Sequence, residues 1–204
     1  MYAIVEDNNI TQYINFPKSV IIGDVRYPAK IFQLWSKSEK EAIGIYEIVV
    51  DQTNYKDPEY YMNTDSSYTF ADGQVTESWG TATPKRLEDE DAVDEDGNNI
   101  LDDDGNQVIN YGLKTEKKRI IKQQASGLLA PTDWYVVKAT EVEDYNVPEN
   151  ITTYRAEVRA KSNEMESQID ACTNVDELKA LYEYTTQADG TQTRPLAEFP
   201  KEVV

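Results

Sequence analysis

The side chains best suited to chemistry in this sequence are the carboxylates of an acidic stretch over residues 84–112. They form dense acidic runs with no base between them, and Asp-Gly-Asn occurs twice, at 96–98 and 104–106. An EF-hand calcium loop needs oxygen ligands at its first, third and fifth positions, Gly at the sixth and Glu at the twelfth. Registers with Gly97 or Gly105 at the sixth position fail at the first and the twelfth. The sequence therefore excludes an EF-hand and leaves a weaker calcium site of another kind open.

Other catalytic groups are sparse. The sequence has no His and a single Cys, Cys172, which removes Ser-His and Cys-His pairs and His-containing zinc sites. Cys172 lies at an apolar position of a predicted helix, where a core role is expected. A glycosidase-like carboxylate pair near Trp35, Trp79 or Trp134 stays as an alternative, although 38 acidic residues make proximity in sequence uninformative. We expect no enzymatic activity, no cofactor and no bound metal.

The chain carries a formal net charge of -18, which repels nucleic acid and anionic lipid. One basic cluster stands against this charge, and it contains Lys114, Lys117, Lys118, Arg119 and Lys122. We expect a solvated helix face that partly neutralises the acidic stretch, with nucleic-acid binding as the alternative. The N-terminus does not resemble a signal peptide, and no run approaches about 18 apolar residues. The sequence therefore predicts a soluble protein with no nucleic-acid partner and no membrane contact.

The sequence pattern predicts strands followed by helices and therefore an α+β fold. Residues 1–83 are expected to form a small β-rich N-terminal domain. Alternating apolar and polar residues predict strands with one buried face and one solvated face. A short helix is predicted over 36–43, capped by Ser36 or Ser38 and ended by Gly44. The predicted strands are 2–6, 10–14, 20–22, 25–27, 45–50, 60–62, 68–70 and 75–79, with turns at 7–9, 23–24 and 72–73.

The rest of the chain is expected to be mainly helical. Residues 84–112 predict an acidic hairpin insertion or flexible connector, and residues 185–204 predict a hairpin at 189–190 followed by an extended tail. Residues 113–184 predict a helical domain, because apolar residues recur there at three- and four-residue steps. Its helix boundaries are predicted from a stop at Pro131, a cap at Thr132 or Asp133, a proline in the first turn at Pro148 and a capping-box-like pair at Asn174 and Glu177.

The segment from about Lys117 to Arg159 resembles the tail-assembly chaperone module of tailed bacteriophages. In that family an Arg-started helix leads into a Leu-Leu-x-x-Thr-Asp-Trp step, and a helix with Tyr-Arg and a further Arg follows a proline. The matching residues here are Arg119, Leu128, Leu129, Thr132, Asp133, Trp134, Pro148, Tyr154, Arg155 and Arg159. A looser resemblance over 1–50 is to the N-terminal domain of phage tail-fibre assembly proteins, through 1–5, 27–29 and 42–46. The acidic insertion and the longer C-terminal part depart from the family.

The resemblance implies a tail-fibre assembly chaperone or fibre-associated accessory protein that binds a fibre polypeptide through its helical module. Its partner would be a phage tail-fibre or baseplate protein, met in the host cytoplasm during assembly or retained in the virion tail. The sequence gives no oligomeric state. The alternative is a structural virion component, a baseplate or tail-fibre adaptor that bridges two tail proteins. The expected partner-binding residues are Trp134, Tyr135, Val137, Tyr154, Arg155 and Arg159; the other interpretation is that Trp134 and Tyr154 pack the helices together.

Overall fold

The computed structural model describes residues 1–202, which divide into a first unit, Met1–Thr83, and a second unit that begins at Pro84. The first unit holds the larger sheet and the second unit holds the long helices, so the predicted α+β class is confirmed. The division falls where the sequence predicts the end of the β-rich segment. The acidic segment, the helices and the C-terminal hairpin all belong to the second unit.

The first unit is built on a curled sheet. Its elements are β1 (Tyr2–Glu6), β2 (Asn9–Ile14), β3 (Val20–Ile22), β4 (Val25–Tyr27), α1 (Ile31–Leu34), α2 (Lys37–Glu41), β5 (Ile45–Asp51), β6 (Tyr61–Met62), β7 (Ser66–Ala71), β8 (Gln74–Trp79) and β9 (Thr83–Pro84). The five-stranded sheet has the order β2-β1-β5-β8-β7, in which β5 and β8 are parallel and the other neighbours are antiparallel. The edge strands β2 and β7 approach each other, and the rings of Tyr13 and Tyr68 lie 4.7 Å apart between them.

Both faces of this sheet bury apolar side chains. One face, with Ile4, Ile14 and Ile45, is covered by the β3–β4 hairpin and by helix α1. The concave face holds a second cluster that includes Val5 and Val75. Successive side chains of a strand point to opposite faces, so residues of the same strand enter two different apolar cores. The expected solvated face of the sheet is therefore partly buried as well.

The local turn chemistry of the first unit follows the predictions. Asp7 and Asn8 adopt φ values of 49° and 62°, as a tight two-residue hairpin turn requires. Ser36 and Glu39 form a reciprocal capping box at the start of α2. Gly44 has a φ of +83°, and a Cβ there would lie 2.5 Å from the carbonyl oxygen of Val5. The sequence analysis did not predict α1, because its four residues are too short for a periodic pattern.

The second unit packs its helices around a separate core. Its elements are β10 (Glu90–Asp91), β11 (Ile109–Asn110), α3 (Leu113–Leu129), α4 (Asp133–Glu141), α5 (Glu149–Ala171), α6 (Val175–Ala180), β12 (Thr185–Thr186) and β13 (Gln192–Thr193). A short 3-10 turn over Ala130–Thr132 joins α3 to α4. Helices α3 and α5 pack along each other, with Ala125, Tyr154 and Val158 buried between them. The predicted core position of Cys172 is confirmed, since it is buried and burial raises the pKa of its thiol.

The C-terminal segment folds back onto α5. Strands β12 and β13 form the predicted hairpin. Beyond it, the side chain of Gln168 donates to the carbonyl of Pro195 at 3.0 Å and accepts from the amide of Ala197 at 2.9 Å. Leu196 between them is buried. The predicted extended tail therefore contacts the second unit as far as Phe199, and its last residues, 203–204, lie outside the described part of the chain.

The acidic segment belongs to the second unit and forms short antiparallel hairpins, which matches the hairpin alternative. Its centre is a ring of backbone hydrogen bonds among residues spaced eight apart: Ala92 donates to Val108, Val108 to Ile100, and Ile100 to Ala92, at 2.8–2.9 Å. Two hairpin tips and the β10–β11 stem radiate from this ring. The two Asp-Gly-Asn turns are eight residues apart, and so are the three residues of the ring. Each turn therefore lies between two successive residues of the ring.

The same segment caps the N-terminus of α3. The carbonyls of Arg86 and Leu87 accept from the amides of Leu113 and Lys114, the first two residues of the helix. The carboxylate of Asp89 accepts from the amide of Gly112 at 2.7 Å. Helix N-termini leave amide donors without partners and favour negative charge. The acidic segment supplies both acceptors and charge, which explains why it precedes a helix rich in lysine.

Candidate interaction surface on helix α4

Helix α4 differs from the other long helices because none of its nine residues is buried. Trp134 and Val137 are each 52% exposed, and Val136 is 41% exposed. Val142, the residue that follows the helix, is 47% exposed. We call Trp134, Val136, Val137 and Val142 the α4 surface. Scattered exposed apolar residues are common, but four of them within nine positions on a helix with no buried residue mark a candidate contact region.

Contacts within the helix hold the aromatic part of this surface in place. The rings of Trp134 and Tyr135 lie 3.8 Å apart between centroids. The ammonium group of Lys138 lies 4.3 Å from the ring centre of Tyr145 and 5.8 Å from that of Trp134. Tyr135 and Lys138 are half-buried, whereas Trp134, Val136 and Val137 are exposed. Lys138 thus lies against aromatic rings, and three of the exposed side chains of α4 are apolar.

A clamp built by Arg155 of α5 fixes the start of α4. One guanidinium nitrogen donates to the carbonyl of Leu129 at 3.0 Å and to the hydroxyl of Thr132, and the other pairs with the carboxylate of Asp133 at 2.8 Å. Thr132 is fully buried, and its hydroxyl donates to the carbonyl of Leu129 at 2.7 Å. We call Leu129, Thr132, Asp133 and Arg155 the clamp. Charge-assisted hydrogen bonds of this kind give fixed geometry, so the clamp sets the direction in which α4 leaves the helix pair.

Tyr154 works beside the clamp. Its ring is buried against Ala125 and Val158, and its hydroxyl donates to the carbonyl of Leu128 at 3.4 Å. Burial raises the pKa of this hydroxyl. The Leu-Leu-x-x-Thr-Asp and Tyr-Arg parts of the motif therefore meet in space, and together they join the end of α3 to the N-terminal part of α5.

The structure separates the six expected partner-binding residues into two groups. Trp134 and Val137 are exposed, and Tyr135 is half-buried beside them. Arg159 is exposed on α5, where it donates to the carbonyl of Arg155 at 3.2 Å. Tyr154 and Arg155 are buried and bonded within the unit, so in this conformation they support the α4 surface and do not form part of it.

Thr132, one of the two predicted caps of α4, occupies the N-cap position, and Asp133 is the first residue of the helix. The side chain of Thr132 makes no hydrogen bond to a following amide, so the position is confirmed and the capping hydrogen bond is not. The Thr132 hydroxyl is used by the 3-10 turn and the clamp instead. Thr132 and Asp133 were recognised as motif residues, but their contact with Arg155 was not predicted. Each half of the motif alone fits a helix boundary, so only the two halves taken together indicate this contact.

The expected solvated face is found for only part of the basic cluster, since Lys114 and Lys117 are buried while Arg119 and Lys122 are exposed. The ammonium group of Lys114 is buried, where it contacts Glu88 at 2.5 Å and the carbonyl of Asp170 at 3.0 Å. Lys117 is also buried, with its ammonium group 4.5 Å from the ring centre of Tyr182. The remaining members pair on the surface as Lys118 with Asp170, Arg119 with Glu116 and Lys122 with Glu166. Neutralisation of the acidic stretch, as expected, is seen at Lys114.

The acidic tips use their carboxylates within the loops. Asp94 accepts from the amides of Asp96 and Asn98, and Asp102 accepts equivalently from Asp104 and Asn106, at 2.8–3.0 Å. These hydrogen bonds lower the pKa of both carboxyls. Over residues 1–202, no group of three or more His, Cys, Asp or Glu side chains is arranged to hold a metal ion.

Two further observations concern the whole described chain. Over residues 1–202, none of the helices has the length and the apolar character needed to cross a membrane. Comparison with family models, with curated proteins and with solved structures finds no match. The resemblance to the phage chaperone family therefore stays a prediction that depends on the motif residues themselves.

Proposed function

We propose that this protein binds another polypeptide through the α4 surface and acts as a phage tail-fibre assembly chaperone or fibre-associated accessory protein. The observation that supports it most is the exposure of Trp134 and Val137 on a helix whose start is fixed by buried hydrogen bonds. No residue of α4 is buried in the core of the second unit, yet hydrogen bonds from Arg155 fix the start of the helix. Such a helix is suited to present a contact surface. The proposal assigns the chain no catalytic role.

The physical task fits this surface. Fibre polypeptides that are rich in β-strands expose unpaired edges and apolar side chains before they assemble. A helper needs an apolar contact region and a body that keeps the loaded complex soluble. The net charge of -18 favours solubility of such a complex.

Co-expression tests the proposal directly. The chain is produced with the tail-fibre polypeptide of the same phage, and the yield of soluble fibre trimer is measured with and without it. We expect a higher yield with the native chain and loss of that gain in the variant Trp134→Ala/Val137→Ser. Equal trimer yield in the absence of this protein would overturn the proposal.

The first unit offers a matched control. Phe16 and Leu34 are 69% and 75% exposed, so Phe16→Ala/Leu34→Ala removes exposed apolar side chains from the first unit. We expect the control variant to support fibre assembly as well as the native chain does. An equal loss in both variants would indicate nonspecific apolar contact and would count against a dedicated surface.

A structural virion component is the second candidate, and the division into two compact units, each with its own core, favours it. Two units suit a protein that bridges two partners. Mass spectrometry of purified particles separates the candidates. A stoichiometric amount of this chain in the particle supports the adaptor, and its absence supports the transient helper.

A further inference from the structure

The α4 surface ends in a group of three acidic residues, one in the last turn of α4 and two directly after it. Glu141 lies in the last turn of α4, and Glu143 and Asp144 follow directly, with all three side chains exposed. Within residues 1–202, none of these carboxylates takes part in an ion pair or a side-chain hydrogen bond. The one base between residues 133 and 149 is Lys138, and it lies against the rings of Tyr145 and Trp134.

These acids occupy the end of the helix that disfavours them. The C-terminus of a helix carries partial negative charge from its unpaired carbonyls, and cations are stabilising there. By contrast, the acid at the start of α4, Asp133, is paired with Arg155. The acidic side chains therefore leave the C-terminal end of the α4 surface with negative charge that this chain does not compensate.

We infer that the α4 surface binds a basic amphipathic segment of its partner, with apolar side chains on Trp134 and Val137 and a Lys or Arg beside Glu141, Glu143 and Asp144. This inference rests on the proposed function and specifies the chemistry of the partner. The ridge from Trp134 to Val142 is about 12 Å long, which a partner helix of two to three turns spans. Apolar contact supplies affinity, and the charges supply orientation and choice of partner.

Charge also argues against a second copy of this chain as the occupant. Two copies meeting through α4 would bring together two chains that each carry a net charge of -18. Like charges placed opposite one another at an interface oppose association. The occupant that the charges favour is therefore a different, basic segment.

Synthetic peptides test the inference on the full-length protein. Three peptides of about 16 residues share one helical pattern: leucine with lysine, leucine with glutamate, and serine with lysine. Dissociation constants are measured by calorimetry at low and high salt. We expect the leucine–lysine peptide to bind at least about tenfold more tightly than either of the others, and its affinity to fall as salt is added. Equal binding of the leucine–glutamate peptide would overturn the inference.

Neutral variants then locate the charge. Glu141→Gln/Glu143→Gln/Asp144→Asn should weaken binding of the leucine–lysine peptide by about tenfold at low salt and remove most of its salt dependence. Asparagine is the substitute at Asp144 because φ there is 66°, a conformation that Asn tolerates.

The acidic tips supply a control with the same change in charge. The variant Glu95→Gln/Asp96→Asn/Asp103→Asn removes three exposed carboxylates from the tips and leaves the bonded Asp94 and Asp102 intact. We expect it to bind the peptide within about twofold of the native chain. If both variants weaken peptide binding equally, the effect comes from the net charge of the whole molecule. That result would overturn the inference of a local acidic site on α4.

The fibre polypeptide separates failure of this inference from failure of the proposed function. If binding of the fibre polypeptide is lost in Trp134→Ala but unchanged when the three acids are neutralised, the inference is overturned and the proposed function stands. Fibre capture that ignores Trp134→Ala overturns the proposed function, whatever the peptides show. Sedimentation of the native chain completes the test, because a dimer dissolved by Trp134→Ala would assign the surface to a second copy.

Discussion

Helices α4 and α5 share the motif that resembles the phage chaperone module, yet they are held in different ways. Helix α5 buries seven side chains along its 23 residues, and α4 buries none along nine. The Tyr-Arg pair of α5 lies inside the unit, whereas the Trp of α4 is half exposed. The same motif therefore contains buried residues that hold α4 in place and exposed residues that form its surface.

The largest difference between the two helices is expected in their contribution to stability. Ile169 of α5 is fully buried and Val137 of α4 is 52% exposed. We expect Ile169→Ala to lower the free energy of unfolding by about 2–5 kcal/mol, because it leaves a cavity. Val137→Ala should change it by less than about 0.5 kcal/mol. Urea denaturation followed by circular dichroism measures both values, and similar losses would mean that α4 is packed in solution.

The second prediction concerns the clamp. Arg155→Met removes the ion pair to Asp133 and the hydrogen bonds to Leu129 and Thr132, and it leaves the buried hydroxyl oxygen of Thr132 without a donor. We expect a loss of about 1–3 kcal/mol in the free energy of unfolding. Arg159→Met is the control, since Arg159 is exposed, and it should cost less than about 0.5 kcal/mol.

Hydrogen exchange sharpens the clamp prediction. If the clamp orients α4, amides of 133–141 should exchange faster in Arg155→Met than in the native chain, while amides in the middle of α5 keep their protection. Unchanged exchange in α4 would show that the helix is held by other contacts, and the comparison between α4 and α5 would then lose its basis.

A smaller effect is expected at the helix ends. Helix α6 has a side-chain cap, in which the Asn174 carboxamide oxygen accepts from the amide of Glu177 at 2.9 Å, whereas α4 has none. We expect Asn174→Ala to cost about 1 kcal/mol in thermal or urea unfolding. Asn150→Ala in the exposed first turn of α5 is the control, and a similar cost there would show that the loss at Asn174 is not specific to the cap.

The smallest effect is expected in the acidic tips as pH falls. The folded chain lowers the pKa of Asp94 and Asp102 below the ordinary value of 3.8, through hydrogen bonds from backbone amides. Their contribution to stability is therefore present above that value and is lost as pH falls through the lower folded pKa. Carbon-detected NMR titration of the two carboxyls should give midpoints below 3.8, and midpoints above it would contradict the loop geometry.

Much of the fold could be predicted because it depends on local sequence. The turn at Asp7-Asn8 follows from residues that tolerate left-handed backbone angles, and the end of α3 before Pro131 follows from the restrictions that proline imposes. The parallel pairing of β5 with β8 was not predicted, since it joins strands that are distant in sequence.

The candidate surface could be predicted only in part. Sequence marks Trp134, Tyr154 and Arg155 equally, because all three are uncommon residues in one motif. Which of them is buried depends on how α3 and α5 pack, and a pattern on a single helix does not contain that information. The ring among residues 92, 100 and 108 escaped prediction for a similar reason, because its hydrogen bonds are made by backbone atoms.

That ring has a practical consequence for protein engineering. It is closed by main-chain atoms at 92, 100 and 108, so the exposed tips at Gly97 and Gly105 lie outside the circuit that holds the segment together. The φ values of these glycines, +82° and +81°, strain any side chain placed there. The exposed neighbours Glu95 and Asp103 are therefore better positions for a fluorophore or affinity tag, because a label there lies outside the main-chain ring.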